Sequence, residues 1–329
     1  MMKLLLTTFL SFSTLLLSAD CNTFIKENFG DNYSAIKREV SEDDLFNEGK
    51  IADIHYVISA NNRTIAVVKE FDKGLDSQGD FQKELNAYYL LEKSSNNFFN
   101  TPKLLKSGED SDHYYLMLSV AAGENLYHWL KEGSLDQLLE GVELSGQALR
   151  KFHSRLIKRP LKENIARKYN RAKLFDKFID KPSIGIKEVK DHFLTTKFTL
   201  GQVHGDLHPG NVFYDDQSKE VTFIDFSTLT NPVKTMKGDP IAADAMKYLT
   251  SLQSVAYVYG YRCDEIKEIE EAFFKGYGRD LLSDEEIDLF KTYYALDLMD
   301  LIQDSQESSP LRKKQFAKLY EYATTWVVS

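Results

Sequence analysis

Cysteine is scarce in this sequence, which contains only Cys21 and Cys263 among its 329 residues. One disulfide is possible, but two cysteines exclude a disulfide-stabilised scaffold and are too few for a metal site built from thiolates. We predict that both are free thiols. The other fractions, 43% hydrophobic and 28% charged residues, are ordinary for a globular protein and exclude a disordered or low-complexity chain.

Positive charge is also in deficit. Lysine and arginine together number 41, against 50 aspartates and glutamates, which gives a net charge of −9. Non-specific nucleic-acid binding needs a basic surface that displaces counterions from the phosphates, so we expect no nucleic-acid partner. The acidic balance does not exclude a small anionic ligand, because an acidic protein can contain a locally basic pocket.

Several familiar motifs are missing from the sequence. It has no GxSxG nucleophile elbow, no HExxH zinc motif, no Walker phosphate loop and no cysteine–histidine cluster with zinc-ligand spacing. No motif therefore supports the chemistry that these patterns carry. Internal repeats are absent as well, which leaves a chain of one to three ordinary domains.

Long apolar runs are missing after residue 19, where no segment approaches the ~18 residues that a membrane span requires. The start differs, because Lys3 precedes an apolar run from Leu4 to Leu17 and the small residues Ser18–Ala19. This layout predicts a signal peptide over residues 1–19, an exported protein and no membrane span after cleavage. An uncleaved anchor or a misassigned start codon are the alternatives, and the latter would leave the protein cytoplasmic.

Strand patterns dominate the first part of the chain. Ile54–Ala60 and Ile65–Phe71 are two β-type runs joined by a polar turn at Asn61–Arg63, which predicts a hairpin. Asp80–Lys93 has helical periodicity, with apolar residues on one side. His113–Val120 is a further candidate for a buried strand.

The pattern becomes helical after a short connector at Ser119–Glu124. Glu143–Leu156 has apolar residues four apart and predicts an amphipathic helix. Ser283 and Glu286 form a capping box that predicts the start of a late helix. A last helix is expected from Leu311, after the break at Ser308–Pro310.

These elements predict an α+β fold with two lobes. We expect a small β-rich lobe over residues 20–119 that binds a nucleotide. A larger, mostly helical lobe over residues 120–329 would hold the catalytic and acceptor-binding residues. The oligomeric state stays open.

One loop carries the residue types that phosphoryl transfer from ATP needs. The stretch "VHGDLHPGN" places Asp206 five residues before Asn211, with Pro209–Gly210 tightening the loop, and Asp225 follows the apolar run "VTFI". A carboxylate can accept the proton of an attacking hydroxyl. Carboxylate and amide oxygens are ligands that magnesium (Mg²⁺) prefers. Asp206 as base with Asn211 and Asp225 as metal ligands is the arrangement of the kinase catalytic loop and its metal-binding aspartate.

The stretch "HGDLHPGN…FIDF" resembles the aminoglycoside phosphotransferase and choline kinase superfamily, small-molecule kinases with a protein-kinase-like fold. "GDPIAADA" (Gly238–Ala245), "LSGQALRKFHS" (Leu144–Ser154) and "LMLSVAAGENL" are similar to three further family segments, in the same order. The resemblance covers roughly residues 36–300. It implies ATP and Mg²⁺ as cofactors and a small-molecule hydroxyl as the phosphate acceptor.

The resemblance also implies residues that hold the nucleotide. Lys69, in "AVVK" at the end of the second hairpin strand, matches the lysine that reaches the α- and β-phosphates. The alternative is a solvated lysine at a strand end. Glu84 matches the helix glutamate that pairs with that lysine, and Glu92 on the same helix is the alternative. Gly49 falls in the expected phosphate-covering turn, and Ser119 and Ala121 fall in the expected hinge.

Two histidines and one insertion modify this prediction. His204 is expected to support the loop by packing and hydrogen bonding. His208 stands where serine/threonine protein kinases carry a lysine, which favours a small-molecule kinase. Ser227 departs from the family, which usually has glycine or glutamate there. The segment Ser227–Lys237 is long for a small-molecule kinase, and either lines the acceptor site, acts as an activation loop or is a surface insertion.

The acceptor itself is only loosely constrained. The C-terminal helices carry tyrosines and acids that would suit a cationic acceptor, although most of them are expected on solvated helix faces: Tyr257, Tyr259, Tyr261, Asp297 and Asp300. We therefore predict phosphotransfer to an amino alcohol, a choline-like, aminoglycoside-like or sugar acceptor. A secreted protein kinase effector and a pseudokinase scaffold are the alternatives.

Overall fold

The structure is a computed structural model. It describes residues 19–38, 52–75, 78–93, 99–154, 161–163, 166–179, 185–229, 239–304 and 310–328. Gly49, most of the predicted signal peptide, Leu156, Ser308–Ser309 and residues 230–237 of the insertion lie outside the described residues.

The chain divides into two compact units. The first contains the described residues of Met1–Ser41, Phe46–Phe81 and Leu104–Val120. The second contains those of Glu42–Leu45, Gln82–Lys103 and Ala121–Ser329.

The first unit is built on an antiparallel sheet. Its elements are helix α1 (Ala19–Phe29) and strands β1 (Tyr33–Lys37), β2 (Asp53–Ser59), β3 (Thr64–Asp72), β4 (Leu104–Glu109) and β5 (His113–Ser119). The five strands are hydrogen-bonded in the order β1-β2-β3-β5-β4. Every neighbouring pair is antiparallel.

The predicted hairpin is confirmed as β2 and β3. Ser59 and Arg63 close its turn, since the backbone N–H of Ser59 donates to the carbonyl of Arg63 at 3.0 Å. Asn62 has a φ of +55°, a left-handed conformation that asparagine tolerates better than most residues. The local polar sequence therefore determines where the strand reverses.

Helix α1 covers one face of this sheet, and it was not anticipated from the sequence. Phe24 stacks on Tyr115 of β5 with ring centroids 4.7 Å apart. The buried residues of this layer come from the helix and from four of the strands: Cys21, Phe24, Ile25, Ala35, Val57, Ala66, Val68, Tyr115 and Met117. Burial of these apolar side chains is what holds α1 in place.

The second unit is mostly helical. Its helices are α2 (Gln78–Lys93, from Gln82 onward), α3 (Leu126–Glu132), α4 (Leu135–Ser154), α5 (Ala166–Asp176), α6 (Ile186–Thr195), α7 (Ile241–Tyr259), α8 (Cys263–Tyr277), α9 (Asp284–Asp304) and α10 (Pro310–Val328). Its strands are β6 (Glu124–Asn125), β7 (Leu161–Glu163), β8 (Phe198–Gly201), β9 (Val212–Asp215), β10 (Glu220–Phe223) and β11 (Asp239–Pro240). They form two three-stranded sheets, β10-β9-β6 and β11-β8-β7.

The helix predictions in this unit are confirmed with one correction. Helix α4 begins at Leu135, eight residues before the predicted start, because Leu138 and Val142 extend its buried face. The capping box is present, since the backbone N–H of Ser283 donates to Glu286 Oε2 at 2.9 Å and the backbone N–H of Glu286 donates to Ser283 Oγ at 3.2 Å. The last helix begins at Pro310, as the sequence predicted to within a residue.

The two units together give the predicted α+β class, one β-rich and one mostly helical. Both cysteines are free thiols, as predicted, with Cys21 buried and Cys263 exposed. Among the described residues, no helix has the length and apolar character needed to cross a membrane.

Candidate active site

The loop between β8 and β9 carries the predicted catalytic residues, and Gly205 shapes it. Gly205 has a φ of +87°, in the left-handed region that glycine enters without steric cost. A Cβ atom at this position would lie 2.8 Å from the carbonyl oxygen of Thr228. Both the backbone conformation and the close approach therefore require glycine directly before Asp206.

Asp206 and Asn211 are joined by a hydrogen bond across this loop. The residues Pro209–Asn211 form a single 3-10 turn, and His208 Nδ1 caps it by accepting from the backbone N–H of Gly210 at 3.2 Å. This turn brings Asn211 back so that its Nδ2 donates to the carbonyl of Asp206 at 2.9 Å. Because the amide nitrogen is used in this way, the amide oxygen is the atom that Asn211 can offer to a cation.

Asp225 reaches the same place from the end of β10. The backbone N–H of Ile224 donates to the carbonyl of Asn211 at 3.0 Å. This hydrogen bond places Asp225, the next residue, beside the loop that carries Asn211. Asp225 has a φ of +63°, and non-glycine residues in this strained conformation are concentrated at functional sites. The structure thus brings together the three residues that the sequence singled out.

His204 supports the loop, as predicted. It is fully buried, and its Nε2 donates to the carbonyl of Ile224 at 2.8 Å. Its Nδ1 accepts from the backbone N–H of Asp206 at 3.3 Å. One imidazole ring therefore links the segment that carries Asp206 to the segment that carries Asp225.

Asp244, in the first turn of α7, anchors the loop from below and was given no role from the sequence. Its carboxylate accepts from the backbone N–H groups of His204 and Gly205 at 2.7 and 2.9 Å. His153 Nε2 donates to the same carboxylate at 3.2 Å, and His153 Nδ1 is hydrogen-bonded to the hydroxyl of Tyr277 at 2.7 Å. Burial raises the pKa of Asp244, but the interactions with His153 and the loop outweigh it, and the net pKa lies below its usual value.

Asp244→Asn is expected to destabilise the protein by about 1.5–3 kcal/mol, because it removes charge-assisted hydrogen bonds from a buried site. Since folding lowers the pKa of Asp244, its stabilisation is complete above the unfolded value of about 3.9 and is lost as the pH falls through the folded value. Urea unfolding as a function of pH should therefore show the free-energy gap between wild type and variant narrowing in acid. Asp288→Asn, at an exposed position of α9, is the control, and an equal loss in both variants would contradict the anchoring role.

Lys247 forms an ion pair with the predicted catalytic base. Its Nζ donates to Asp206 Oδ1 at 2.6 Å. Burial raises the pKa of Asp206, but its interactions with Lys247, His208 and His204 together outweigh burial, and the net pKa lies below its usual value. Lys247 lies one helical turn after Asp244 on α7, so the two residues share a helix face. The three-residue spacing of Asp244 and Lys247 in "DAMK" is the sequence feature that could have predicted a role for Lys247.

His208 is neutral at physiological pH. Burial lowers its pKa to about 4, the nearby Asp206 opposes the shift and Lys247 adds to it. A neutral ring keeps Nδ1 as the acceptor that caps the turn at Gly210. His208 therefore contributes loop geometry, and the charge beside Asp206 comes from Lys247.

The predicted nucleotide residues lie in both units. Lys69 is only 8% exposed and lies inside β3, three residues before its end, which corrects the strand-end placement and rules out a solvated lysine. Ser119 is the last residue of β5, and Ala121 is the first residue of its segment of the second unit. Glu84, in α2, is fully buried.

Glu84 and Asp225 share a neighbour within the second unit. Burial raises the pKa of Tyr88 well above its usual value, and the charges of Glu84 and Asp225 add to the increase. The ring of Tyr88 also packs edge-on against Phe226, with centroids 5.9 Å apart. The buried part of α2 is therefore part of the surroundings of the predicted metal ligand.

Acidic residues of α9 lie near the Lys247–Asp206 pair. Burial raises the pKa of Asp297, while Lys247 opposes this shift and Asp300 adds to it. Asp300 is engaged in an ion pair with Lys177. Asp297 is exposed to solvent on α9, although surrounding protein atoms partly desolvate its carboxylate, so it is accessible to a ligand and close enough to Lys247 to sense its charge.

Two of the tyrosines considered for the acceptor site have structural contacts. Tyr257 stacks on Tyr322 of α10 with ring centroids 4.7 Å apart. The hydroxyl of Tyr261 donates to the carbonyl of Leu130 at 3.1 Å. The first contact joins α7 to α10, and the second joins the segment between α7 and α8 to α3.

The fold and the site together define a kinase-type phosphotransferase. The fold has an antiparallel five-stranded sheet and a mostly helical unit, and the site has Asp206, Asn211 and Asp225 on two adjacent loops. The sequence profile of the "Phosphotransferase enzyme family" matches residues 45–232, which is more than half of the chain. The chain belongs to this family, as the motifs predicted. No curated protein matches it in sequence.

Solved structures support the same fold. An aminoglycoside phosphotransferase, APH(3'')-Id from Streptomyces rimosus in complex with ADP and streptomycin, has a TM-score of 0.54 and 17% identity, and the match covers 84% of this chain and 95% of that one. Glucosamine kinase in complex with glucosamine, ADP and inorganic phosphate has a TM-score of 0.53 and 13% identity, covering 88% and 93%. The gentamicin complex of APH(2")-IIa has a TM-score of 0.52 and 16% identity, covering 96% and 97%. These similarities confirm the predicted protein-kinase-like fold.

Proposed function

We propose that this chain transfers the γ-phosphate of ATP to a hydroxyl group of a small molecule. The observation that carries the proposal is the convergence of Asp206, Asn211 and Asp225 on two loops that are hydrogen-bonded to each other. Membership of the phosphotransferase family supports it. The ADP bound in two structures of similar fold supports a nucleotide as the donor.

Asp206 is the proposed base. Lys247 donates a hydrogen bond to Asp206 Oδ1, which leaves Asp206 Oδ2 for the acceptor hydroxyl. As the acceptor oxygen bonds to the γ-phosphorus and the bond to the leaving ADP oxygen breaks, Asp206 accepts the hydroxyl proton. The lowered pKa keeps Asp206 ionised at neutral pH, and such a weak base acts mainly by orienting the hydroxyl until the proton is released late in the reaction.

Asn211 and Asp225 are the proposed ligands of Mg²⁺. Their donor set fits this ion, which binds to one or two carboxylates or amide oxygens and keeps several waters. The hydrogen bond of Asn211 Nδ2 to Asp206 directs the amide oxygen to this role. When bound, Mg²⁺ neutralises charge on the phosphates. Lys69, Glu84, Ser119 and Ala121 are each proposed to contribute to nucleotide binding, as the family resemblance implies.

Lys247→Met is expected to move the acid limb of the kcat/KM profile to higher pH. The variant removes the charge that lowers the pKa of Asp206 and leaves burial, which raises it. Asp206 therefore becomes protonated at a higher pH, and activity is lost earlier on acidification. Steady-state kinetics across the acid range measure the shift.

The matched control for this measurement is Lys291→Met. Lys291 is also a partly exposed lysine in an ion pair, with its Nζ 2.7 Å from Glu270 Oε1, but it has no contact with Asp206. We expect its profile to match that of wild type. An unchanged acid limb in Lys247→Met would rule out Asp206 as the group that limits activity in acid.

We further propose that the acceptor carries an amine. Asp297 is reached by solvent and close to Lys247, and its raised pKa shows that the ionised carboxylate is poorly stabilised there. An ammonium group of the acceptor would stabilise that charge and leave a neighbouring hydroxyl near Asp206. The aminoglycoside and glucosamine complexes of similar fold bind acceptors of this kind.

An ATP-consumption assay with paired acceptors tests the function. We expect turnover with glucosamine, streptomycin or gentamicin, and less with N-acetylglucosamine or glucose, which lack the free amine. Asp297→Asn should raise KM for amine acceptors by roughly 10- to 100-fold, the effect of losing one charged hydrogen bond. Asp288→Asn serves as control. Equal KM values for amino and neutral sugars would exclude the amine, and turnover with protein substrates alone would favour a protein kinase.

A further inference from the structure

Polar side chains interrupt the apolar layer between α1 and the sheet of the first unit. His55, Glu70 and His113 lie on the sheet face that also carries the core residues Val57 and Tyr115, since residues two apart along a strand share a face. In the strand register His55 is opposite Val68, and Glu70 is opposite Tyr115. The two histidines are therefore diagonal neighbours of Glu70 on its two flanking strands, close enough for their side chains to meet.

Cys21 of α1 completes this cluster from above. The ligand atoms of Cys21, His55 and Glu70 all lie within 4.8 Å of one another. His55 Nε2 is 2.6 Å from Glu70 Oε2, and His113 Nε2 is 3.4 Å from Glu70 Oε1. Cys21 is 0%, His55 1% and Glu70 7% exposed, so water has little access to these groups.

An ion pair alone does not satisfy the buried atoms. His55 Nε2 and Glu70 Oε2 lie 2.6 Å apart, yet neither atom has a hydrogen bond of regular geometry among the described residues. Burying polar groups without hydrogen bonds is costly, and a buried charge needs a partner or a metal. An imidazole nitrogen and a carboxylate oxygen this close can share a proton or coordinate one cation, and the absence of a regular hydrogen bond favours the cation.

We propose that Cys21, His55 and Glu70 bind one zinc-type divalent transition-metal ion, with His113 Nε2 as the fourth ligand. Thiolate, imidazole and carboxylate are the donors found around Zn²⁺, at bonds of about 2.0–2.3 Å. Tetrahedral geometry with such bonds separates ligand atoms by about 3.3–3.8 Å. The ligand atoms of Cys21, His55 and Glu70, which lie within 4.8 Å of one another, therefore need to shift by only about 1 Å relative to one another to accept the ion.

A second layer of contacts holds the proposed fourth ligand. His113 Nδ1 lies 3.6 Å from Asp110 Oδ1, on the side of the ring away from Glu70. Asp110 also accepts from the hydroxyl of Tyr115 at 2.5 Å and from the backbone N–H of His113 at 2.8 Å. His113 Nδ1 has no hydrogen bond at this distance, and a small rotation of the ring on metal binding would let Asp110 accept from it, as carboxylates behind metal-bound histidines do.

The role of this site would be structural. Four protein ligands close the coordination sphere, and the ion would link α1 to three strands of the sheet. The ligands come from four elements that are far apart in sequence, which is why no zinc spacing is visible in the chain. The cluster shares no residue with the proposed catalytic machinery, so its test is independent of the proposed function.

Cobalt titration of the full chain, stripped of metal with a chelator, tests the proposal. We expect one equivalent of Co²⁺ to bind, with a thiolate-to-metal charge-transfer band and the intense visible bands of tetrahedral cobalt, and Zn²⁺ to displace it. Cys21→Ser should lose the charge-transfer band. Cys263→Ser is the matched control, since this exposed cysteine lies in the second unit, and it should retain the full spectrum.

The wild-type titration decides even where a variant fails to fold. Binding of no cobalt by the wild-type chain would overturn the proposal and leave the cluster as a histidine–glutamate ion pair. A charge-transfer band that persists in Cys21→Ser and vanishes in Cys263→Ser would overturn it too. Glu70→Gln gives a second check, and we expect cobalt affinity to fall by at least ~10-fold, with the secondary structure verified by circular dichroism.

Discussion

We expect Asp206→Asn to lower kcat by about 10²- to 10⁴-fold, which is the range for the loss of a general base. Asparagine has nearly the same shape as aspartate and can still accept a hydrogen bond from Lys247. The hydrogen bonds that Asp244 and Asn211 make with the loop backbone should therefore keep the loop in place. What is lost is the carboxylate that orients the acceptor hydroxyl and takes its proton. The affinity for ATP should change little, because Asp206 has no proposed contact with the nucleotide.

Single-turnover phosphorylation of the best acceptor measures this loss apart from product release. The control is Asp215→Asn, at the end of β9, whose carboxylate accepts from the backbone N–H of Gln217 and the hydroxyl of Ser218. In the variant the amide oxygen can accept from the backbone N–H of Gln217, and the amide nitrogen can donate to the hydroxyl oxygen of Ser218, so this exposed turn should keep its shape and the enzyme its wild-type activity. Equal rates in wild type and Asp206→Asn would remove Asp206 from the reaction.

Asp225→Asn is expected to lower kcat/KM by about 10²- to 10³-fold, since it removes a charged ligand from the phosphate-neutralising ion. Asparagine tolerates the left-handed conformation at this position, where φ is +63°, so the effect reports on the lost charge and not on the backbone. Activity should recover in part at high Mg²⁺ concentration. That recovery distinguishes a metal ligand from a residue that only supports the loop.

Mg²⁺ titrations of activity at saturating ATP measure this effect. Asp216→Asn is the control, because Asp216 forms a surface ion pair with Lys219 at 2.8 Å, and such exposed pairs contribute little. Its half-saturating Mg²⁺ concentration should equal that of wild type. If Asp225→Asn also showed the wild-type concentration, the metal would be held by other residues.

The local parts of the fold were predictable from the sequence. The β2–β3 hairpin follows from alternating apolar residues around Asn62, and the start of α9 follows from Ser283 and Glu286. Both depend on residues a few positions apart, so the sequence contains the whole cause. Helix α1 was missed because it continues directly from the segment that was interpreted as a signal peptide.

The candidate site shows the same division. Asp206, Asn211 and Asp225 lie within one short stretch, where fixed spacing and a tight turn specify their arrangement. Lys247 and Asp244 are about forty residues further along, and their contacts with the loop depend on how α7 packs beneath it. No local sequence pattern predicts which carboxylate will form an ion pair with a lysine that is distant along the chain.

By itself, the sequence determined the family, the catalytic loop and the chemistry that its acids and amide can perform, because these depend on residue type and short-range spacing. Only the tertiary structure decided that Lys247 is paired with Asp206, which lowers the pKa of the proposed base. It also decided that Cys21, His55 and Glu70 meet beneath α1, although the sequence showed no metal spacing. Pairing across strands and packing of helices bring together residues that are distant along the chain, and these contacts determine charge and ligand geometry.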